Sequence, residues 1–154
     1  MRKSQTLALA SAAVVLSLIL AGPATASTTA PFRAIFVETG CAPLTVCGTG
    51  NVAGLGHVER TVLVLNGCGL GCSLRTITFE NGSTLVTQGA TLGIDLPGSS
   101  AEAEPPAGPA WIHGAWRIVG GTDDFAGATG SGTGAIHVAA GQSTTRLTGT
   151  ITFP

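Results

Sequence analysis

The stretch VGGTDDFAGATGSGTG, Val119–Gly134, contains six glycines in sixteen residues, together with two aspartates and one phenylalanine. Because glycine tolerates positive φ and close backbone approach, such a run is typical of a phosphate-binding loop, an interdomain linker or a sharp turn in a sheet. A phosphate loop needs a following helix and usually a lysine, whereas this run has no lysine, and Asp123 and Asp124 would repel an anion. A linker does not need an apolar anchor such as Phe125, and strand-like residues flank the run closely. We therefore predict a turn between two strands, with Phe125 packed against the core as a plug.

Short runs of β-branched and aromatic residues, separated by turn signals, continue along the rest of the chain without a helical period. The predicted strands are Phe32–Thr39, His57–Gly67, Leu74–Glu80, Thr84–Leu96, Trp111–Val119, Thr133–Ala139 and Thr144–Phe153. The glycine-rich residues 48–56 are interpreted as a connection, and Asn81–Ser83 as a hairpin turn that also fits a glycosylation sequon. About seven or eight strands at this spacing indicate a sandwich or a barrel. Glycines inside the strands favour the sharp bends of a small barrel, so we predict a single antiparallel β-barrel of about eight strands.

The residues WRIVGGTDDFAGATGSGTG resemble the GGTGxFxxAxG signature of the allene oxide cyclase-like and dirigent-like barrels. The matching positions are Gly120, Gly121, Thr122, Phe125, Ala128 and Gly130. Asp123 stands where that signature usually has glycine. The resemblance implies an eight-stranded antiparallel barrel with a central cavity, a form shared by many secreted bacterial proteins of unassigned function. Allene oxide cyclases rearrange a fatty-acid epoxide inside the barrel and dirigent proteins guide phenoxy-radical coupling, but the similarity is confined to a structural corner and transfers no functional residue.

The N-terminal residues have the layout of a secretory signal peptide. Arg2 and Lys3 precede the uncharged run Leu7–Leu20, which is short for a membrane-spanning helix, and the small residues 24–26 suit a cleavage site. We expect cleavage after Ala26, which makes residues 1–26 a signal peptide, residues 27–154 the barrel domain, and the protein secreted.

The composition of residues 27–154 excludes several classes of function. These 154 − 26 = 128 residues keep five arginines and eight acidic residues, so their net charge is 5 − 8 = −3. A weakly acidic balance offers no electrostatic attraction for nucleic acid or anionic lipid, and we expect no nucleic-acid partner and no membrane association after signal cleavage. The absence of lysine and tyrosine from this part excludes Schiff-base chemistry and tyrosine acid–base roles. The sequence GTGNVA at residues 48–53 matches a dinucleotide pattern, but the glycines that follow oppose a helix, so we expect no cofactor.

Four cysteines, Cys41, Cys47, Cys68 and Cys72, all lie in the first half of the exported part. An even number of cysteines in an exported protein indicates disulfides. A zinc site is the alternative, although the five residues between Cys41 and Cys47 are more than the two to four that such sites usually have within a pair. Four cysteines allow three pairings. Because each pair brackets a short segment with proline or glycine, we favour the bridges Cys41–Cys47 and Cys68–Cys72, and we expect no metal.

The sequence contains no recognisable Ser-His-Asp or Cys-His motif. The few residues whose side chains could act in catalysis are candidates only if they face the bore of the barrel. The candidates are His57, Glu59, His113 and Arg117. Inside the bore they would bind a polar head group or move a proton. The alternative, which we favour, places them in water or in cross-strand pairs. The side chains of Asp123 and Asp124 could bind a calcium ion or cap a turn. We favour the second role.

The segment Pro97–Pro109 has four prolines and two glutamates, and it is predicted to be a long exposed loop and the most mobile part of the exported protein. Such a loop acts either as a spacer or as a lid over one mouth of the barrel. For the whole protein we favour a non-enzymatic barrel that binds a small apolar ligand. The alternatives are an isomerase or cyclase similar to allene oxide cyclase, and a structural or interaction protein of the cell exterior with a filled barrel.

Overall fold

The computed structural model describes residues 26–95 and 110–154. Within these residues, eight antiparallel strands close into a barrel in which each strand pairs with its neighbours in sequence and β1 pairs with β8. The strands are β1 Thr28–Ala42, β2 Thr45–Val52, β3 Gly56–Val64, β4 Cys72–Phe79, β5 Thr84–Asp95, β6 Ala110–Gly121, β7 Thr129–Ala139 and β8 Gln142–Phe153. The predicted single antiparallel barrel is thus confirmed. The predicted signal peptide, apart from Ala26, and the predicted loop Pro97–Pro109 lie outside the described residues.

The first strand shows why these residues form the wall of a barrel. Phe32, Ala34 and Phe36 are buried in the bore, whereas Arg33 and Ile35 between them are exposed. Successive side chains of a strand point to opposite faces, so alternation of this kind gives one filled interior and one solvated exterior. Among the part of the chain that the structure describes, no helix is long and apolar enough to span a membrane.

The structure corrects our interpretation of the glycine-rich residues 48–56. We expected a connection there, but most of these residues belong to β2, and the turn is limited to residues 53–55. A Cβ atom on Gly48 would collide with the carbonyl oxygen of Val37, and one on Gly50 with the carbonyl oxygen of Ile35. These glycines therefore serve the close approach of β1 and β2, a tertiary requirement that a sequence pattern does not distinguish from a turn.

Residues 122–128 form the predicted corner, whereas the glycines of residues 129–134 lie in β7, which begins earlier than the predicted strand Thr133–Ala139. A single 3-10 turn, Asp123–Phe125, follows β6, and the Phe125 side chain is only 4% exposed. Its ring stacks on that of Phe79, with 4.7 Å between the centroids. Asp123 has φ 51°, in the left-handed region that favours glycine, which is the residue that the resembled signature has at this position. Phe125 is thus the plug of a turn, as the sequence predicted.

The two ends of the barrel differ in content. We call the end that holds the connections 43–44, 65–71 and 140–141 the disulfide end; the connections 53–55, 80–83 and 122–128 lie at the opposite end. Toward the opposite end the bore is filled by buried apolar side chains: Phe32, Val52, Val58, Ile77, Phe79, Leu85, Phe125 and Ile151. Toward the disulfide end buried polar side chains replace them, and this part of the bore is the candidate site.

Both predicted disulfides are present at the disulfide end. Cys41 is bonded to Cys47 with 5.7 Å between the Cα atoms, and Cys68 to Cys72 with 5.2 Å. The first bridge closes the β1–β2 hairpin, and the second closes a ring of five residues between β3 and β4. Disulfides persist in oxidising compartments, so the two bridges fit an extracellular or otherwise oxidising environment.

Candidate binding site in the barrel

A row of four inward-facing residues forms one boundary of the candidate site. Trp116, Gly132, Gly149 and Phe32 pair in that order across β6, β7, β8 and β1. Because neither glycine has a side chain, the Trp116 indole reaches the Phe32 ring, with 4.9 Å between the centroids. A Cβ atom on Gly149 would lie 2.8 Å from Cζ2 of Trp116. The glycine pair is therefore the slot that holds the indole.

The next inward row toward the disulfide end leaves space unfilled. It consists of Gly114, Gly134, Leu147 and Ala34, paired in that order. Two glycines and an alanine occupy far less volume than the aromatic row beside them, and the cavity at this level has a volume of about 70 Å³. At about 30 Å³ for each water molecule in the liquid, that is room for about two water molecules. The cavity therefore suits a molecule of few non-hydrogen atoms, or one end of a longer molecule.

Four buried polar side chains from four strands meet beside this cavity, and we call them the Glu38–Arg75 cluster: Glu38 of β1, Thr61 of β3, Arg75 of β4 and Thr145 of β8. Nη1 of Arg75 forms an ion pair with Oε1 of Glu38 and donates to Oγ1 of Thr61 at 3.1 Å. Nη2 of Arg75 donates to Oγ1 of Thr145 at 3.2 Å, and that hydroxyl donates to Oε2 of Glu38 at 2.7 Å. The carboxylate and the guanidinium are thus each held by several bonds.

The surroundings of Arg75 leave part of its guanidinium available. Arg75 lines the cavity, and its bonds to Glu38, Thr61 and Thr145 come from Nη1 and Nη2, not from Nε. Burial lowers the pKa of Arg75, while the charge of Glu38 and the hydrogen bond to it oppose this shift. The guanidinium carbon also lies 4.8 Å from the centroid of the Phe36 ring, where the ring face attracts a cation. The cluster therefore presents a fixed hydrogen-bond donor to an otherwise mostly apolar cavity.

The four candidates from the sequence lie outside the bore. His57 and Glu59 are exposed on either side of Val58, which is fully buried. Arg117 is exposed and donates from Nη2 to Oε1 of Gln88 at 2.7 Å. The alternation of a strand explains this placement, because the buried neighbours of these residues occupy the inward positions. The condition under which the four residues were candidates, a position in the bore, is not met.

His113 is exposed on the outer wall of the barrel. It lines a shallow depression there, together with Arg146 and the small residues around them. On the same strand Trp116 is buried and Trp111 is 39% exposed, so the two tryptophans lie on opposite faces of the wall. The outer wall therefore holds His113 away from the Glu38–Arg75 cluster.

Sequence reasoning missed the two charged residues that do face the bore. Arg75 shares its strand face with Ile77 and Phe79, and Glu38 shares its face with Phe36. Every second side chain of a strand points to the same face of the sheet. A charged residue that alternates in step with the apolar residues is therefore expected to be buried with them, and this pattern is the signal in the sequence.

The aspartates of the corner take part in turn structure. Oδ2 of Asp124 accepts a hydrogen bond from Nδ2 of Asn81 at 2.7 Å, and Oδ1 of Asn81 accepts one from the backbone N–H of Ser83 at 3.0 Å. Within residues 26–95 and 110–154, no group of three or more His, Cys, Asp or Glu side chains is placed to hold a metal ion. The contacts therefore favour the turn interpretation of Asp123 and Asp124.

Comparison of the chain with protein-family models, with curated proteins and with solved structures finds no match. The similarity of residues 116–134 to allene oxide cyclase-like and dirigent-like barrels stays a prediction from those residues. One fold hosts many functions, so the geometry of the site, and not the barrel fold, indicates what this protein does.

Proposed function

We propose that this protein is a secreted, non-enzymatic barrel that binds a small, mainly apolar molecule bearing one oxygen acceptor in the cavity beside Arg75. The observation that carries the proposal is the cavity itself, a space of about 70 Å³ with one charged donor, Arg75, in its wall. Ligand sites are typically apolar concavities with a few placed polar groups that set orientation. The disulfides and the N-terminal sequence support the secreted location.

The lining of the cavity indicates the chemistry of the ligand. Its apolar walls come from Leu63, Ile112, Trp116, Ile136 and Leu147. The polar lining consists of Arg75 and hydroxyl groups. The guanidinium of Arg75, the charged group of this lining, donates hydrogen bonds and cannot accept them. A carbonyl or carboxylate oxygen complements that donor, whereas an ammonium group meets a like charge.

The same lining favours binding over catalysis. Arg75 is the one ionisable side chain among the described residues that line the cavity. An arginine stays protonated in proteins, so it orients and stabilises a ligand but does not act as a general base. The cyclase alternative needs a proton acceptor within reach of the ligand, and His57, Glu59 and His113 are exposed outside.

Calorimetric titration with hexanoate, 2-hexanone and hexylamine tests the proposal, because the three molecules share an apolar chain and differ in the polar end. We expect hexanoate and 2-hexanone to bind and hexylamine not to bind. Gly134→Ala places a methyl group into the cavity wall, 2.7 Å from the end of the flexible Leu147 side chain, and is expected to weaken binding of both acceptor ligands.

The double variant Glu38→Leu/Arg75→Met serves as the control for orientation, since it removes the donor without leaving one buried charge unpaired. We expect it to lose discrimination between 2-hexanone and hexylamine. Equal binding of all three molecules by the unmodified protein would contradict the role of Arg75. If none of the three molecules binds, the alternative of a structural protein with a filled barrel is favoured.

A further inference from the structure

The chain contains three asparagines, Asn51, Asn66 and Asn81, and glycine follows the last two. Asparagine is a chemically labile residue, and it deamidates fastest before glycine, because no side chain there shields the backbone nitrogen that attacks the amide carbon. Both Asn–Gly pairs are exposed, in the connections 65–71 and 80–83. What deamidation does to the protein depends on the contacts of each amide.

The β4–β5 turn requires glycine at position 82. Gly82 has φ 85°, in the left-handed region, and its N–H donates to the carbonyl oxygen of Phe79 at 2.9 Å. The N–H of Phe79 donates to the carbonyl oxygen of Ser83 at 3.0 Å, so residues 80–82 form a hairpin loop whose last residue is in the left-handed conformation. A residue with a side chain would be strained there. The fold therefore keeps a labile Asn–Gly pair at this turn.

Both polar atoms of the Asn81 side-chain amide form hydrogen bonds. Oδ1 accepts one from the N–H of Ser83 at 3.0 Å, which turns the amide toward the residues that follow it. Nδ2 donates to Oδ2 of Asp124 at 2.7 Å, and the two residues are 43 positions apart in the chain. Asp124 belongs to the 3-10 turn that carries the Phe125 plug. The amide therefore joins the tip of the β4–β5 turn to the corner.

The two connections that this bond joins are already acidic. Residues 80–83 and 122–128 together contain three acidic residues and no basic residue. Deamidation of Asn81 replaces the donor Nδ2 by a carboxylate oxygen that faces the carboxylate of Asp124. Because an ionised carboxylate only accepts hydrogen bonds, the bond is lost and two like charges meet.

Asn66 has a different arrangement. Its Oδ1 accepts a hydrogen bond from the N–H of Gly71 at 3.0 Å, within the connection that holds the Cys68–Cys72 disulfide. An aspartate at position 66 keeps an oxygen at that place and accepts the same bond, and its charge strengthens the bond. The φ of 58° suits aspartate as well as asparagine. The same chemical change therefore removes a hydrogen bond at position 81 and preserves one at position 66.

We propose that Asn81 is a modification site, at which deamidation breaks the bond between the β4–β5 turn and the corner and lowers the stability of the barrel. The nitrogen of Gly82 attacks Cγ of Asn81 and forms a ring, and Nδ2 leaves as ammonia with the proton of the Gly82 nitrogen. Water then opens the ring, at Cγ to give aspartate, or at the backbone carbonyl carbon to give isoaspartate, which lengthens the turn by a methylene group. In the folded protein the attack begins with opening of the hydrogen bond from Gly82 to Phe79, at an exposed turn.

Incubation of the folded protein at mildly alkaline pH, followed by proteolysis and mass spectrometry of the peptides, tests the modification itself. We expect an acid in place of the amide at Asn81, with isoaspartate among the products, and the same reaction at Asn66. Asn51 is the internal control, because valine follows it within β2, and its amide is expected to persist. An Asn81 amide that persists as long as that of Asn51, or a glycan on its nitrogen, would overturn the proposal.

Melting temperatures test the effect on stability. Asn81→Asp reproduces one product, and it is expected to lower the Tm by about 3 °C or more, because a hydrogen bond to a charged group is replaced by repulsion. Asn66→Asp is the matched control, since it adds the same charge and keeps its hydrogen bond, and it is expected to leave the Tm unchanged.

The double variant Asn81→Asp/Asp124→Asn exchanges donor and acceptor between the two positions. The amide at position 124 then donates to the carboxylate at position 81, and we expect the Tm to return to that of the unmodified protein. All three variants change exposed side chains, so each is expected to fold. Equal Tm values for Asn81→Asp and Asn66→Asp, or a double variant that melts no higher than Asn81→Asp, would show that the bond between Asn81 and Asp124 does not carry the effect.

Discussion

The Glu38 carboxylate and the Arg75 guanidinium form an ion pair across the bore, from strands β1 and β4, which are not neighbours in the sheet. The two residues are 37 positions apart in the chain, and both are buried. Hydrogen bonds from Thr145 and Thr61 complete the coordination of the carboxylate. The pair thus connects two separate parts of the wall and fixes the guanidinium beside the cavity.

Removing one partner of this pair is expected to lower the free energy of unfolding far more than removing both partners. Glu38→Leu leaves the Arg75 charge buried without its counter-charge, and we expect a loss of about 3–5 kcal/mol in the free energy of unfolding. Glu38→Leu/Arg75→Met removes both charges, and its stability is expected to lie near or above that of the unmodified protein. Urea unfolding followed by circular dichroism compares the three proteins, and a double variant as unstable as the single one would contradict the argument.

Phe125→Ala tests the plug at the corner. The ring is buried and stacks on Phe79, so its removal is expected to lower the free energy of unfolding by about 3–5 kcal/mol. Val119→Ala, at an exposed position six residues earlier, is the control and is expected to change stability by less than about 0.5 kcal/mol. A thermal melt that Phe125→Ala leaves unchanged would show that the ring does not support the corner.

The cysteines are expected to be fully oxidised in the exported protein. Thiol titration of the denatured, unreduced protein is expected to detect no free thiol, since all four cysteines are paired. Cys68→Ser/Cys72→Ser is expected to lower the free energy of unfolding by about 2 kcal/mol, because the ring that this bridge closes is short. Detection of free thiols, or of zinc released on denaturation, would be evidence against this pairing.

Gly149→Ala tests the slot for Trp116. The added methyl group would lie 2.8 Å from Cζ2 of the indole and would collide with the carbonyl oxygen of Ser131, so we expect a loss of about 1–3 kcal/mol. Gly40→Ala is the control, because a methyl group there meets nothing within 4 Å. Trp116 is buried, and moving its indole toward water would shift its fluorescence emission to longer wavelength. We expect this shift in Gly149→Ala and not in Gly40→Ala.

Strands β4 and β2 differ in how far their sequences predict them. Residues 74–80 were predicted as a strand from their alternation, and that alternation already placed Arg75 on the face of Ile77 and Phe79. The position of Arg75 in the bore was therefore present in the sequence pattern, but its partner Glu38 was not, since pairing across a barrel depends on closure and register. Strand β2 was missed because Gly48 and Gly50 suggested a turn, and their role in close strand approach exists only in the folded sheet.

The sequence by itself determined the all-β class, the antiparallel barrel, the corner plugged by Phe125 and the two disulfides, because each depends on local signals: alternation, turn residues and short cysteine spacing. Only the tertiary structure decided which charged side chains pair across the bore, where the cavity lies and which loops share one end. Those features depend on residues from strands far apart in the chain, such as Gly114, Gly134 and Ala34 in one row. Closure of the barrel sets which strands face each other, and register sets which residues meet, so a site assembled across the bore is defined only once the last strand has paired with the first.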